Sequence, residues 1–113
     1  MDLAGERCEA CRPESPRVPE AKIESLLTEI PGWTLVTVRD VPRLKRVIRV
    51  DGWEPAVRLA NEVAELAAIE DHHPSILIEW GKVTIQWWTH AISGLHRNDF
   101  VMAAKVNQIE AAQ

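Results

Sequence analysis

Between Asp51 and Ile69 the chain carries apolar residues along two helical stripes, and this stretch constrains the fold more than any other. Val57, Ala60, Ala64 and Ala67 form one stripe, and Leu59, Val63 and Leu66 form the second. A helix lying on a single surface needs only one. Two stripes call for two apolar surfaces, yet a chain of 113 residues has room for one domain and one core. One stripe is therefore expected to pack on the chain's own sheet. The other is expected to meet a second protein surface, which favours oligomerisation through this central helix over a fully buried one. Asp51 as a cap, Glu54 three residues later and Pro55 in the first turn mark where the helix starts.

The flanking segments read as elements of another period. Pro19 opens a helix over about Glu20 to Glu29, with Ile23, Leu26, Leu27 and Ile30 on one side, and Pro31-Gly32 ends it. Trp33 to Arg39 and Leu44 to Val50 read as a hairpin joined by Asp40-Val41-Pro42. Arg43, Lys45, Arg46 and Arg49 make its second strand basic, as suits a solvated sheet edge, with an anion-binding face as the sharper reading. Ser75 to Trp80 and Val83 to Thr89 form a second strand pair around Gly81-Lys82. In the latter strand Val83, Ile85 and Trp87 share one face, and Thr84, Gln86 and Trp88 the other. Asn98 or Asp99 is expected to cap a last helix carrying Val101, Ala104 and Ile109. The order α-β-β-α-β-β-α predicts an α+β fold, a four-stranded antiparallel sheet with three helices packed on one face. Residues 18–113 form the single domain, preceded by a flexible tail over residues 1–17.

Composition narrows the function classes. A net charge of −4 gives no general reason to expect a nucleic-acid partner. No apolar run approaches the roughly 18 residues that a membrane span needs. Asp2, Glu6 and Glu9 stand where a secretory signal would be basic and then apolar, so a cytoplasmic protein is the natural reading. Cys8 and Cys11 form a lone C-x-x-C, half a zinc site or a redox pair. Zinc would need two more ligands that the neighbouring residues do not supply, so the pair is expected to be inert within the tail. Five Trp against one Phe and no Tyr leave tryptophan with nearly all the aromatic work.

Three of the four histidines fall at element ends, where side chains tend to point into clefts. His72 and His73 follow the central helix just before Pro74, and His90 closes the last strand. Asp71 and Asp99 supply carboxylates able to orient an imidazole. Zinc accepts three imidazoles, but adjacent histidines diverge and the i, i+4 pair of a helical zinc site is absent. General acid–base work uses the same residues with one His donating and another accepting a proton. Plain helix capping is the third reading, and residue types alone leave all three open.

The spacing is more specific. His72-His73-Pro74, five residues, Trp80, nine residues, His90, eight residues, Asp99 resembles the signature of the pterin-4a-carbinolamine dehydratases. Glu79-Trp80-Gly81-Lys82-Val83, Trp87-Trp88-Thr89-His90, Gly94-Leu95-His96-Arg97-Asn98-Asp99 and the opening Cys8-Glu9-Ala10-Cys11-Arg12 are similar to that family as well. The resemblance implies dimers or tetramers and removal of water from a 4a-hydroxytetrahydropterin to give a quinonoid dihydropterin, without metal or organic cofactor. It assigns acid–base catalysis to His72, His73 and His90. It places Asp71, Trp88, Thr89, Ala91 and Asp99 in contact with the pterin, with Trp33 as an apolar wall; His96 matches no catalytic position. Two features depart from the pattern. Ala68 stands where the family usually carries Glu, four residues before the first motif His, and Val47, Ile48, Val50 and Trp53 replace a phenylalanine-rich stretch. Such departures open an alternative: a catalytically weakened, dehydratase-like factor assisting Rubisco assembly in carboxysome-containing bacteria. Dimerisation partner for a transcription factor is a weaker third.

Overall fold

The computed structural model describes residues 2–113 and contains the anticipated α+β fold. Helix α1 covers Glu20–Leu27, strands β1 and β2 cover Thr34–Val38 and Val41–Arg49, and helix α2 covers Trp53–Glu70. Strands β3 and β4 cover Ser75–Glu79 and Lys82–Trp87, and helix α3 covers Arg97–Ala111. The strands form one antiparallel sheet in the order β1-β2-β4-β3. No helix among the described residues is long and apolar enough to cross a membrane.

Both hairpins turn on two residues. Val38 pairs with Val41 around Arg39 and Asp40, which have φ of 50° and 65°. Two positive φ values are what a tight hairpin needs to match strand twist. The turn thus falls earlier than Asp40-Val41-Pro42, and β2 starts at Val41. Pro42 is tolerated because β4 pairs only from Leu44 onward, so no second neighbour asks for its missing N–H. In the other hairpin Glu79 pairs with Lys82 around Trp80-Gly81, with Gly81 at φ 78°.

Leu44, Ile48, Val83, Ile85 and Trp87 point from the sheet into the core and meet α2 and α3. The basic strand β2 is central, not an edge, because β1 and β4 flank it. Its charges are tolerated because the sheet face away from the helices is open: Val47 and Arg49 on that face are exposed and Lys45 is half-buried. Arg46 turns the other way and donates to Glu110 on α3 at 2.7 Å and to Asn107.

On α2 the buried residues are Ala56, Leu59, Ala60, Val63 and Ala67, so the inward face draws on both stripes read from the sequence. Val57 is half-buried and Ala64 exposed on what remains. Helix α3 is buried more evenly, through Phe100, Val101, Met102, Ala103, Ala104 and Val106. Its second side is covered by the N-terminal segment. A 3-10 turn at Leu3–Gly5 buries Leu3 against it, and Lys105 Nζ donates to the Ala4 carbonyl at 2.8 Å. Leu3 and Ala4 are therefore packed on the domain, although residues 12–14, 16 and 17 are exposed. Val101, Met102 and Ala103 leave α3 with more apolar surface than the sheet can hide, and the segment hides the rest.

Trp33, expected as a wall of the site, is instead a core residue. Its indole N–H donates to Asn107 at 2.8 Å, and Asn107 lies eight residues beyond Asp99 on α3. At 1.5 Å of rise per residue that is about 12 Å along the axis.

Phe100 is fully buried at the centre of this packing. Phe100→Ala should lower the unfolding free energy by about 3–5 kcal/mol, measured by urea titration.

Candidate active site

Asp99 organises the site. It is the third residue of α3 and has no exposed surface. A buried carboxylate is tolerable only when its oxygens are satisfied. His72 donates from Nε2 to Oδ1 at 2.7 Å, while the Thr89 hydroxyl at 2.8 Å and the His96 amide at 2.9 Å donate to Oδ2. The positive end of the α3 dipole favours the charge further. Neither Asn98 nor Asp99 is the cap itself. His96 is, its Nδ1 accepting the Asn98 amide at 3.0 Å while Asp99 accepts the His96 amide in return, a capping box. His96, which matches no catalytic position in the sequence, is thus buried and structural.

His72 reaches Asp99 because α2 ends abruptly. Asp71 adopts a left-handed conformation at φ 52°, and the His72 amide closes back on the Ala67 carbonyl at 3.1 Å. Asp is one of the few side chains that accept this backbone. The turn carries His72 inward, where its ring stacks on Trp87 at 5.8 Å and 10°. With Nε2–H committed to a carboxylate, Nδ1 is the nitrogen left to exchange a proton.

His73 and Asp71 face outward, with side chains 67% and 93% exposed and a loose contact of 3.8 Å between them. His90 is exposed at the start of a 3-10 turn, His90–Ile92, that also exposes Ala91. Its ring leans on Trp88 at 4.6 Å, and the Arg43 guanidinium lies 3.7 Å from the Trp88 ring centre, a cation–π contact. His72 and Thr89 both bond Asp99, and His73 and His90 are their immediate chain neighbours. Chain continuity therefore keeps the backbone of His73 and of His90 within one residue, about 3.8 Å, of a residue that bonds Asp99. Thr89 and Asp99, expected to touch substrate, lie behind His72. Thr89 is 1% exposed, with its hydroxyl on Asp99 and its amide on the Gly94 carbonyl.

Among the described residues no group of three or more His, Cys, Asp or Glu is arranged to hold a metal ion. Cys8 is pushed up to about 12 by burial, reinforced by the Glu70 charge, and burial raises Cys11 too, so both thiols stay protonated at neutral pH. Ala68 is exposed and brings no carboxylate toward His72. Glu70 cannot replace one. It accepts the Cys8 amide at 2.9 Å and Arg7 Nε at 2.7 Å, and the Cys8 amide above all holds its carboxyl below the usual range. A groove of about 610 Å³ between α1 and β1 is lined by no histidine.

Sequence reading missed Arg43 and Trp87 as neighbours of the site. For Trp87 the signal was present, since it alternates inward with Val83 and Ile85. Arg43 gave none, because nothing in the sequence pairs it with Trp88.

Asp99→Asn removes the charge on which His72, Thr89 and His96 converge. Unfolding free energy should fall by roughly 1–3 kcal/mol in a urea titration, and an unchanged midpoint would show that these bonds do not hold the site.

Comparison with known proteins bears on the family and the fold. Residues 16–109 match the family model described as Pterin 4 alpha carbinolamine dehydratase. The chain is 50% identical over 111 residues to the protein named "Putative pterin-4-alpha-carbinolamine dehydratase 1" of Gloeobacter violaceus, covering 98% of this chain and 96% of that one. It is 46% identical over 108 residues to "Putative pterin-4-alpha-carbinolamine dehydratase" of Nitrosococcus oceani, covering 96% of each. The crystal structure of a transcriptional coactivator/pterin dehydratase from Brucella melitensis superposes with a TM-score of 0.75 at 26% identity, covering 83% of this chain and 98% of that chain. With a family model spanning most of its length and relatives near half identity, the chain belongs to the pterin 4 alpha carbinolamine dehydratase family.

Proposed function

We propose that the chain dehydrates 4a-hydroxytetrahydropterins to quinonoid dihydropterins by acid–base catalysis from His72, His73 and His90. The observation that carries this reading is the buried, oriented His72–Asp99 pair, with the exposed His73 next in sequence to His72 and the exposed His90 next to Thr89, which also bonds Asp99. The reaction breaks the C4a–O bond, protonates the departing hydroxyl so that water leaves, and removes the proton on N5 as the C4a=N5 bond forms. Hydroxide is a poor leaving group, so the acid matters as much as the base. An unperturbed imidazole, with its pKa of about 6.5, is populated in both forms near neutral pH and suits either task.

The chain's residues divide this work. Asp99 accepts from Nε2 of His72 and leaves Nδ1 to meet the substrate. Trp88 offers a flat aromatic wall for the pterin ring, steadied by Arg43. Asp71 and the Ala91 backbone lie on the exposed rim, where the polar edge of a pterin finds partners. The reaction belongs in the cytoplasm, and the outward face of α2, including Ala64, is the surface through which copies would assemble.

Purified protein given 4a-hydroxytetrahydropterin should accelerate loss of water above the uncatalysed rate. His72→Ala and His90→Ala should each lower turnover by about 100-fold or more. The absence of a carboxylate at Ala68 supports a second reading, an assembly factor for Rubisco. Wild-type protein without turnover, combined with a rise in soluble Rubisco on co-expression, would replace the dehydratase reading with that one.

A further inference from the structure

The stretch from Glu6 to Cys11 bridges the two elements that carry the His72–Asp99 pair. On the α2 side the Cys8 amide donates to Glu70 Oε1 at 2.9 Å, and Arg7 Nε meets Oε2 at 2.7 Å. Glu70 is the last residue of α2, two before His72. On the α3 side the Glu9 amide donates to Asn98 Oδ1 at 3.1 Å, and Asn98 Nδ2 donates back to the Glu9 carbonyl at 2.8 Å. Asn98 is the residue before Asp99, and its Nδ2 also lies 3.1 Å from the Cys11 sulfur. The Glu6 carboxylate engages Arg97 at 2.7 and 2.9 Å.

Both anchors are hidden from water. The Glu70 side chain is 5% exposed and Asn98 2%. If the segment lifted, Glu70 and Asn98 would lose both these partners and the cover the segment gives them, and each would be free to turn outward toward water. The backbone of Asp71-His72 on one side and of Asp99 on the other would follow. This matters more here because Ala68 leaves Asp99 as the carboxylate that fixes His72.

We propose that Glu6–Cys11 is a positioning strap: Arg7, Cys8 and Glu9 set the His72–Asp99 geometry by tying Glu70 to Asn98. The strap touches no reacting atom. It acts by holding two helix ends in one register, so its loss reads out as misplacement of the His72 ring. The kinetic consequence rests on the dehydratase reading; the geometric one does not.

Glu70→Ala removes the anchor on α2, and Glu70→Gln restores an acceptor for the Cys8 amide. With folding checked by circular dichroism, two readouts are compared. In ¹H–¹⁵N spectra of the imidazoles, Glu70→Ala should shift or broaden the His72 Nε2–H signal, and Glu70→Gln should return it toward wild type. In the dehydratase assay, Glu70→Ala should lower kcat about tenfold with KM within about twofold, again rescued by Gln. A wild-type His72 signal in folded Glu70→Ala overturns the strap. Should Glu70→Ala not fold, Arg7→Ala, at a side chain 73% exposed, must move the same signal by a smaller amount; no movement overturns the proposal equally. If the wild-type chain shows no turnover, the dehydratase reading fails and the imidazole signal alone decides the strap.

Discussion

A carboxylate with no access to water sits where four separate pieces of the chain meet. Asp99 takes donors from His72 after α2, from Thr89 after β4 and from His96 at the head of its own helix. Removing any of them leaves part of a buried charge uncompensated, which is far more expensive than the gain from any one bond. The end of α2, the end of β4 and the start of α3 are therefore tied to one point. The N-terminal segment joins them through Asn98, next in sequence. The same interaction that fixes this packing also leaves His72 with a single tautomer and one free nitrogen.

How much of this could be read from the sequence depended on the kind of signal. Alternation over Val83, Ile85 and Trp87 gave both the strand and its inward face. The spacing from His72 to Asp99 pointed to one site through its resemblance to the family's signature; the element ends at those positions alone left metal binding, acid–base work and capping open. What escaped was set by partners distant in the chain. Trp33 has an indole N–H that suits a pocket wall as well as it suits Asn107, and only the fold decides between them. His is uncommon as a helix cap, so Asn98 or Asp99 was the expected cap although Nδ1 of His96 caps α3.

The N-terminal residues were the least legible, for a physical reason. Pro13, Glu14 and Pro16 look like solvated coil, and much of the attachment runs through backbone amides of Cys8 and Glu9 that no side-chain pattern reveals. The clue lay at the other end of the chain, where α3 carries apolar residues around most of its circumference. Such a helix in a three-helix layer needs a further cover. Leu3 supplies it.

The left-handed residue at the end of α2 has a meaning of its own. Asp71 holds φ at 52°, a conformation in which glycine would be more relaxed by about 1 kcal/mol. Its carboxylate does not repay the difference through packing, since it is 93% exposed and 3.8 Å from another exposed side chain, His73. Folding alone thus favours glycine here and tolerates Asp or Asn, but gives no reason for the charge. Substitution there is a question about selection rather than stability: a lineage that kept the acid through drift was keeping something other than its fold.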